Sequence, residues 1–274
     1  MRKSPGPELV HEVAVLSWWG KIIGGGLGFM LGGPLGALFG AAFGHNFDKG
    51  LGNLDGEGWG QEQERIQTAF FTATFATMGH VAKSDGQVSQ TEIFVAEDVM
   101  RQMRLDERQK QVAQQLFNAG KQPDFPLQAT LQQFRQECHR RRNLMQMFLE
   151  IQVAIALSDG KLDPRESNIL QQAASLLGFS QAEYRAIFQR MQAQTHVRNQ
   201  PQARMSMSDA YALLGVPSGA SDQEVKKAYR RQMNQHHPDK LVSKGLPEEM
   251  MALANKKVQD IREAYELVMA SRKT

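Results

Sequence analysis

The sequence predicts an all-α protein: one apolar helix of membrane length, a helical bundle, and a small three-helix unit at the carboxyl end. Three observations carry that reading. Apolar residues keep a helical period almost unbroken from Glu62 to Met191, and no strand-type alternation competes with it. Ile22 to Phe43 contains no charged residue; at about 1.5 Å per residue it spans roughly 33 Å, enough to cross a bilayer core. After residue 207 three short helical patterns follow one another, separated by Gly and Pro signals. A length of 274 residues suggests roughly two soluble domains. The net charge of +3 comes with basic clusters that are local, so no nucleic-acid partner is demanded, and the single cysteine, Cys138, forbids an intrachain disulfide.

Residues 1–21 form a short polar leader and residues 22–44 the membrane helix. Trp18, Trp19 and Lys21 stand at one boundary and His45, Asp48 and Lys49 at the other, as interface anchors do. The apolar run is longer than a signal-peptide core, and no clear small-x-small cleavage site follows it. Gly24, Gly28, Gly32, Gly36, Gly40 and Gly44 recur every four residues and make one stripe of small residues along the helix. Such a stripe lets two helix backbones approach in lipid, which predicts a homodimer through the anchor. Residues 45–61 are glycine-rich and read as a tether.

Residues 62–191 are expected to form a bundle of about seven helices, the first marked by Ile66, Phe70, Phe71, Thr74, Phe75 and Met78. Ser89 with Glu92, and Ser180 with Glu183, are spaced as capping boxes, and Asp163-Pro164-Arg165-Glu166 combines a cap, a first-turn proline and an acid at the third helical position. Gly120 and Gly178 read as helix stops. Within this bundle Val81-Ala-Lys-Ser84-Asp85-Gly86-Gln-Val88 to Glu92 is echoed by Ile155-Ala-Leu-Ser158-Asp159-Gly160-Lys-Leu162 to Glu166, at an offset of 155 − 81 = 74 residues. The pattern predicts a pseudo-twofold pair of helical hairpins. It resembles the TerB-like domain of the tellurite-resistance family. Acidic residues of this kind are linked to divalent metal in that family, which nominates Asp85, Glu92, Asp159 and Glu166. Taken alone, Asp-Gly is ordinary turn chemistry and a first-turn Glu ordinary capping, and the loops lack the alternating oxygen ligands of a calcium-binding hand, so no bound metal is expected.

Residues 192–206 are Gln-rich with Pro201 and read as a second linker. In residues 207–274, Tyr211 to Val216 is a short apolar helix stopped by Gly215 and Pro217, and Ser221 caps the next one. That helix, Asp222 to Gln235, buries Val225, Ala228, Tyr229 and Met233 on one face and carries Lys226, Lys227, Arg230 and Arg231 on the others. It ends in Gln235-His236-His237-Pro238-Asp239-Lys240. After the loop Leu241 to Leu246 a last helix is expected to open with Pro247, Glu248 and Glu249 and to run to about Ser271. Pro238 stiffens the loop and presents His237 and Asp239 as paired polar contacts at the end of a cationic helix. The leading apolar helix, the Lys-Lys-Ala-Tyr-Arg-Arg helix, His237-Pro238-Asp239 and Ile261-Arg-Glu-Ala264-Tyr265-Glu-Leu267 together resemble a J-domain.

The whole order of parts is similar to the DjlA family of membrane-anchored DnaJ-like co-chaperones. That resemblance implies a protein of the cell inner membrane, linked to stress response, whose partner is a DnaK-type seventy-kilodalton heat-shock chaperone. The chaperone would be bound through His237, Pro238, Asp239, Lys226, Lys227, Arg230 and Arg231, and its ATP hydrolysis stimulated; the resemblance further implies a role in envelope or capsule regulation. No cofactor and no enzymatic activity of its own are expected: no phosphate cradle or nucleophile elbow is present, and Cys138 and His139, as neighbours on a helix, point about 100° apart. The alternative reading is a metal-responsive or stress-sensing bundle with the J-like unit as its outlet. Topology is pulled two ways. Arg2, Lys3 and Lys21 precede the span and only Lys49 closely follows it, which favours a cytoplasmic amino terminus; an ATP-dependent partner requires residues from about His45 onward to be cytoplasmic and the amino terminus periplasmic. The partner argument is taken to prevail.

Overall fold

The computed structural model describes residues 32–43, 58–84, 86–103, 105–158, 160, 162–199, 205–247 and 250–272, and every regular element among them is an α-helix or a short 3₁₀ turn. The bundle is built around α2 (Gly58–Lys83), in which every residue from Ile66 to Gly79 is buried. A stretch buried on all sides has no solvent face, so the middle of α2 serves as a central axle and not as a helix with one apolar stripe. Around it stand α3 (Gln90–Gln102), α4 (Glu107–Gly120), α5 (Leu127–Glu137), α6 (Arg142–Ala156), α7 (Pro164–Leu176) and α8 (Gln181–Asn199). Phe70, Phe71, Phe75, Phe134 and Phe148 fill the core, each fully buried. At the α2–α4 crossing, a Cβ on Gly79 would lie 1.9 Å from the Phe117 carbonyl oxygen, and one on Gly120 would lie 1.7 Å from that of Ala76. Only glycine lets these two backbones meet. Gly120 therefore ends α4 and also packs it.

The internal repeat has the same backbone geometry in both copies. The Ser84 amide donates to Val81 O at 3.0 Å and the Gly86 amide to Lys83 O at 3.0 Å; 74 residues on, Ser158 donates to Ile155 O at 3.0 Å and Gly160 to Leu157 O at 3.1 Å. The helix after each turn opens with a capping box, Ser89 with Glu92 and Asp163 with Glu166. The Ser180–Glu183 pair is also formed, with bonds of 2.8 and 3.3 Å.

Of the apolar run, the described part is α1 (Gly33–Phe43), preceded by Gly32 and opened by Gly33 with φ of 54° and 57°. At about 1.5 Å per residue, α1 is about 16 Å long, and no helix among the described residues is long and apolar enough to cross a membrane. The left-handed pair makes Gly33 a true helix start within the 22–44 span. Gln133 pins that start, accepting from the Leu35 amide at 2.9 Å and donating to Gly32 O at 3.0 Å. Leu35 and Phe39 are buried in the bundle core. Gly36 and Gly40 lie one turn apart on α1 and Gly32 lies before it; Gly24, Gly28 and Gly44 lie outside the described residues.

The carboxyl-terminal unit comprises α9 (Met207–Leu214), α10 (Asp222–His236), the short α11 (Pro238–Val242) and α12 (Met251–Ser271). Two features differ from expectation. Helix α8 runs on to Asn199 through the first half of the Gln-rich stretch, and Ala193 packs into the core of the carboxyl-terminal unit. Helix α12 begins at Met251, beyond Pro247, and Leu241, Leu246 and Met250 ahead of it are fully buried.

Candidate functional site

Helix α10 forms from a capping box, Ser221 with Glu224, and from a buried apolar face of Val225 and Ala228, of which Val225 shares a core with Ile261, Ala264 and Val268 of α12. Tyr229 and Tyr265 stack between the two helices with ring centroids 4.2 Å apart. At the far end, Arg272 bonds Asp222 and the Ala220 carbonyl, each at 2.6 Å, tying α12 back to the start of α10. The remaining surface of α10 presents Lys226, Lys227, Arg230 and Arg231, all exposed. Burying one face thus aligns four cations on the others.

His237 joins α10 to α11 with extended backbone, φ −61° and ψ 122°, and Pro238 occupies the first helical position of α11. The Leu241 amide donates to His237 O at 3.0 Å and that of Ser243 to Asp239 O at 2.9 Å, so the motif is locked into one turn of helix. Pro238 is buried, while His237 and Asp239 are exposed on either side of it. Lys240 bonds the Asn234 side chain across the bend.

The neighbouring histidine has the opposite environment. His236 is 3% exposed, with Nε2 3.6 Å from Glu150 Oε1, and Lys257 Nζ lies 3.4 Å from Glu150 Oε2. Burial drives the His236 pKa down to about 4, and the nearby Lys257 and Arg190 push the same way against Glu150. A neutral imidazole at 3.6 Å is too far for a hydrogen bond, so this contact is not a salt bridge. Burial alone would raise the Glu150 pKa, but Lys257, His236, Arg190 and a hydrogen bond from Gln146 hold it down to about 2. Lys257 also donates to Gln194 at 2.7 Å. The cluster therefore joins α6 and α8 of the bundle to α10 and α12. Nothing in the local sequence pattern singled out Glu150, Arg190 or Lys257, since each is one charged residue in a helical run. A cavity of about 500 Å³ opens beside the cluster, lined among others by Phe94, Met147, Ile151, Leu253, Lys257 and Asp260.

The nominated metal ligands are not brought together as a described site. Asp85 and Asp159 lie outside the described residues. Glu92 and Glu166 each accept a bond from their own helix cap, at 2.7 Å from Ser89 and 3.0 Å from Asp163. Among the described residues no group of three or more His, Cys, Asp or Glu is placed to hold a metal. Cys138 is fully buried as the cap of α5, and burial pushes its thiol up to about 12, the opposite of an activated nucleophile.

Comparison with known proteins bears on all three parts of the chain. Residues 71–189 match the family described as tellurite resistance protein TerB, residues 209–274 the DnaJ domain, and residues 16–54 the transmembrane domain of co-chaperone DjlA. The chain is 49% identical to the co-chaperone protein DjlA of Shewanella oneidensis over 214 residues, 78% of this chain and 81% of that one. It is 43% identical to that of Photobacterium profundum over 269 residues, covering 91% and 97%, and 40% identical to that of Legionella pneumophila over 283 residues, covering 93% and 95%. The chain belongs to the DjlA co-chaperone family. It carries that family's transmembrane domain, which makes it a membrane-associated protein, and its J-domain makes it a co-chaperone. The His-Pro-Asp loop and the basic face of α10 both lie within the J-domain match. No solved structure matches the chain.

Proposed function

We propose that this DjlA-family protein recruits a DnaK-type chaperone to the membrane and stimulates its ATP hydrolysis, in the service of envelope or capsule-related signalling. The supporting observation is the pairing of exposed His237 and Asp239 across buried Pro238, at the end of a helix whose open surface holds Lys226, Lys227, Arg230 and Arg231. A cationic surface steers an acidic partner and speeds encounter, while a rigid polar pair makes directional contacts after docking. The chain's own residues offer the chaperone no chemistry; they bind and orient it. His237→Gln leaves α10 and α11 without a lost internal contact, so it is expected to keep the helical fold and abolish ATPase stimulation. Equal stimulation by wild type and variant would sink the reading. Replacing the four cations by Ala should weaken association more at 50 mM than at about 500 mM salt, as screening over a Debye length requires.

A further inference from the structure

We infer that the TerB-like bundle is the positioning element of the His-Pro-Asp loop, with Asn143, Glu150 and the Ile66–Leu144 seat holding it in place. The inference rests on the proposed chaperone reading for its activity, though not for its geometry. Residues that follow the motif belong to the core of the bundle. Leu241, Leu246 and Met250 are each 0% exposed and pack there with Ile66 and Leu144, whereas α9, α10 and α12 close a separate core around Leu213, Val225 and Ile261. The loop backbone is held on both sides by bundle side chains: Asn143 donates to Gln235 O at 3.1 Å, and Gln63 of α2 donates to Val242 O at 3.0 Å. Gly245 closes the turn at φ 97°, and a Cβ there would lie 2.6 Å from Ile66 Cγ2 and 3.7 Å from Leu144 Cδ1. Immediately before the motif, His236 is buried beside Glu150, which also takes Lys257 from α12.

These contacts hold the loop without covering it, since His237, Asp239 and the four cations of α10 remain exposed. A partner therefore meets a loop that is already ordered, and little freedom is lost when it docks. Encounter and efficacy are then separable: the cations govern how readily the partner binds, and the bundle governs how well the bound loop acts. Asn143, Glu150, Ile66 and Leu144 are positioning residues, because they act through the loop.

The test uses the full chain in detergent or lipid vesicles. Gly245→Ala, Asn143→Leu and Glu150→Gln are compared with wild type for helix content, for hydrogen exchange of the Leu241, Ser243 and Gly245 amides, and for stimulation of a purified DnaK-type ATPase as a function of concentration. Expected are unchanged helix content, exchange at those amides faster by about tenfold, and maximal stimulation lower by about tenfold (about 1.4 kcal/mol). The half-maximal concentration should move by less than about twofold, because the steering charges are untouched. If Glu150→Gln fails to fold, the other two decide, since they change one methyl and one hydrogen bond. Wild-type exchange and wild-type maximal stimulation in both would overturn the inference. His237→Gln in parallel should lose stimulation with wild-type exchange. A wild-type chain that stimulates nothing would sink the chaperone reading, and the exchange data would still decide whether the bundle holds the loop.

Discussion

Two adjacent histidines in this chain have opposite roles because one side chain turns outward and the other inward. His237 is exposed and His236 is buried against Glu150. The buried one makes stability depend on pH. Its folded pKa, about 4, lies below the ordinary value of about 6.5, so between those values the unfolded chain binds more protons than the native one. Stability from this group is present above about 6.5 and is lost as pH falls towards 4. Glu150, held down to about 2 from 4.5, acts in the same sense lower down: its contribution is present above 4.5 and is lost as pH falls through 2. The unfolding free energy is therefore expected to fall from pH 7 to pH 5 with a slope approaching about 1.4 kcal/mol per pH unit, lowering the melting temperature with it, and His236→Phe should flatten that slope. A profile unchanged by the substitution would mean that His236 is not the titrating group. Cys138 gives a companion expectation: fully buried and with its thiol raised, it should not react with maleimide until the chain unfolds.

At the level of elements, local chemistry explains most helix ends. The Ser89, Asp163, Ser180 and Ser221 caps were all readable because a capping box is a four-residue pattern that needs no tertiary partner. The extension of α8 to Asn199 was not readable. Glutamine is a fair helix former but carries no apolar period, and the helix is kept by partners elsewhere in the chain: Ala193 packs into the J-domain core and Gln194 bonds Asp260 and Lys257. The α2–α4 crossing is another feature decided by contact. Gly79→Ala would drive a methyl into the Phe117 carbonyl, and neither backbone can yield cheaply. A loss of about 2–3 kcal/mol is expected by denaturant titration. Gly86→Ala, where the added methyl meets nothing within 4 Å, has only its φ of 106° to oppose it. The first variant should be the worse of the two.

For the whole molecule, the membrane segment supplies two expectations. A glycine stripe that joins anchors predicts that Gly36→Leu lowers dimer content in membranes and that a chain starting at residue 62 is mainly monomeric; a tight dimer of the shorter chain would mean that the anchor is not the main interface. Topology can be read with cysteines introduced in a Cys138→Ser background. Position 4 should react with an impermeant reagent in intact cells and position 272 should not. The reverse pattern would put the J-domain on the wrong side for an ATP-dependent partner. The bundle and the J-domain, meanwhile, do not meet as beads on a flexible string: α6 and α8 share a buried charged cluster with α10 and α12. The Gln-rich stretch therefore opens as a continuation of α8, held by Ala193 and Gln194.

The sequence alone was enough to establish the all-α class, the order of anchor, bundle and J-domain, the 74-residue repeat and the His-Pro-Asp motif with its basic helix. Each of these rests on periodicity, capping or short-range spacing, which are properties of neighbours along the chain. Only the tertiary structure decided that the middle of α2, from Ile66 to Gly79, is an axle buried on every side, that Glu150 gathers Lys257 and His236, and that Leu241 and Leu246 leave the J-domain core for that of the bundle. Those outcomes depend on which apolar and charged side chains meet after residues far apart in sequence are brought together. A hydrophobic residue is driven to be buried, but the pattern does not say against what.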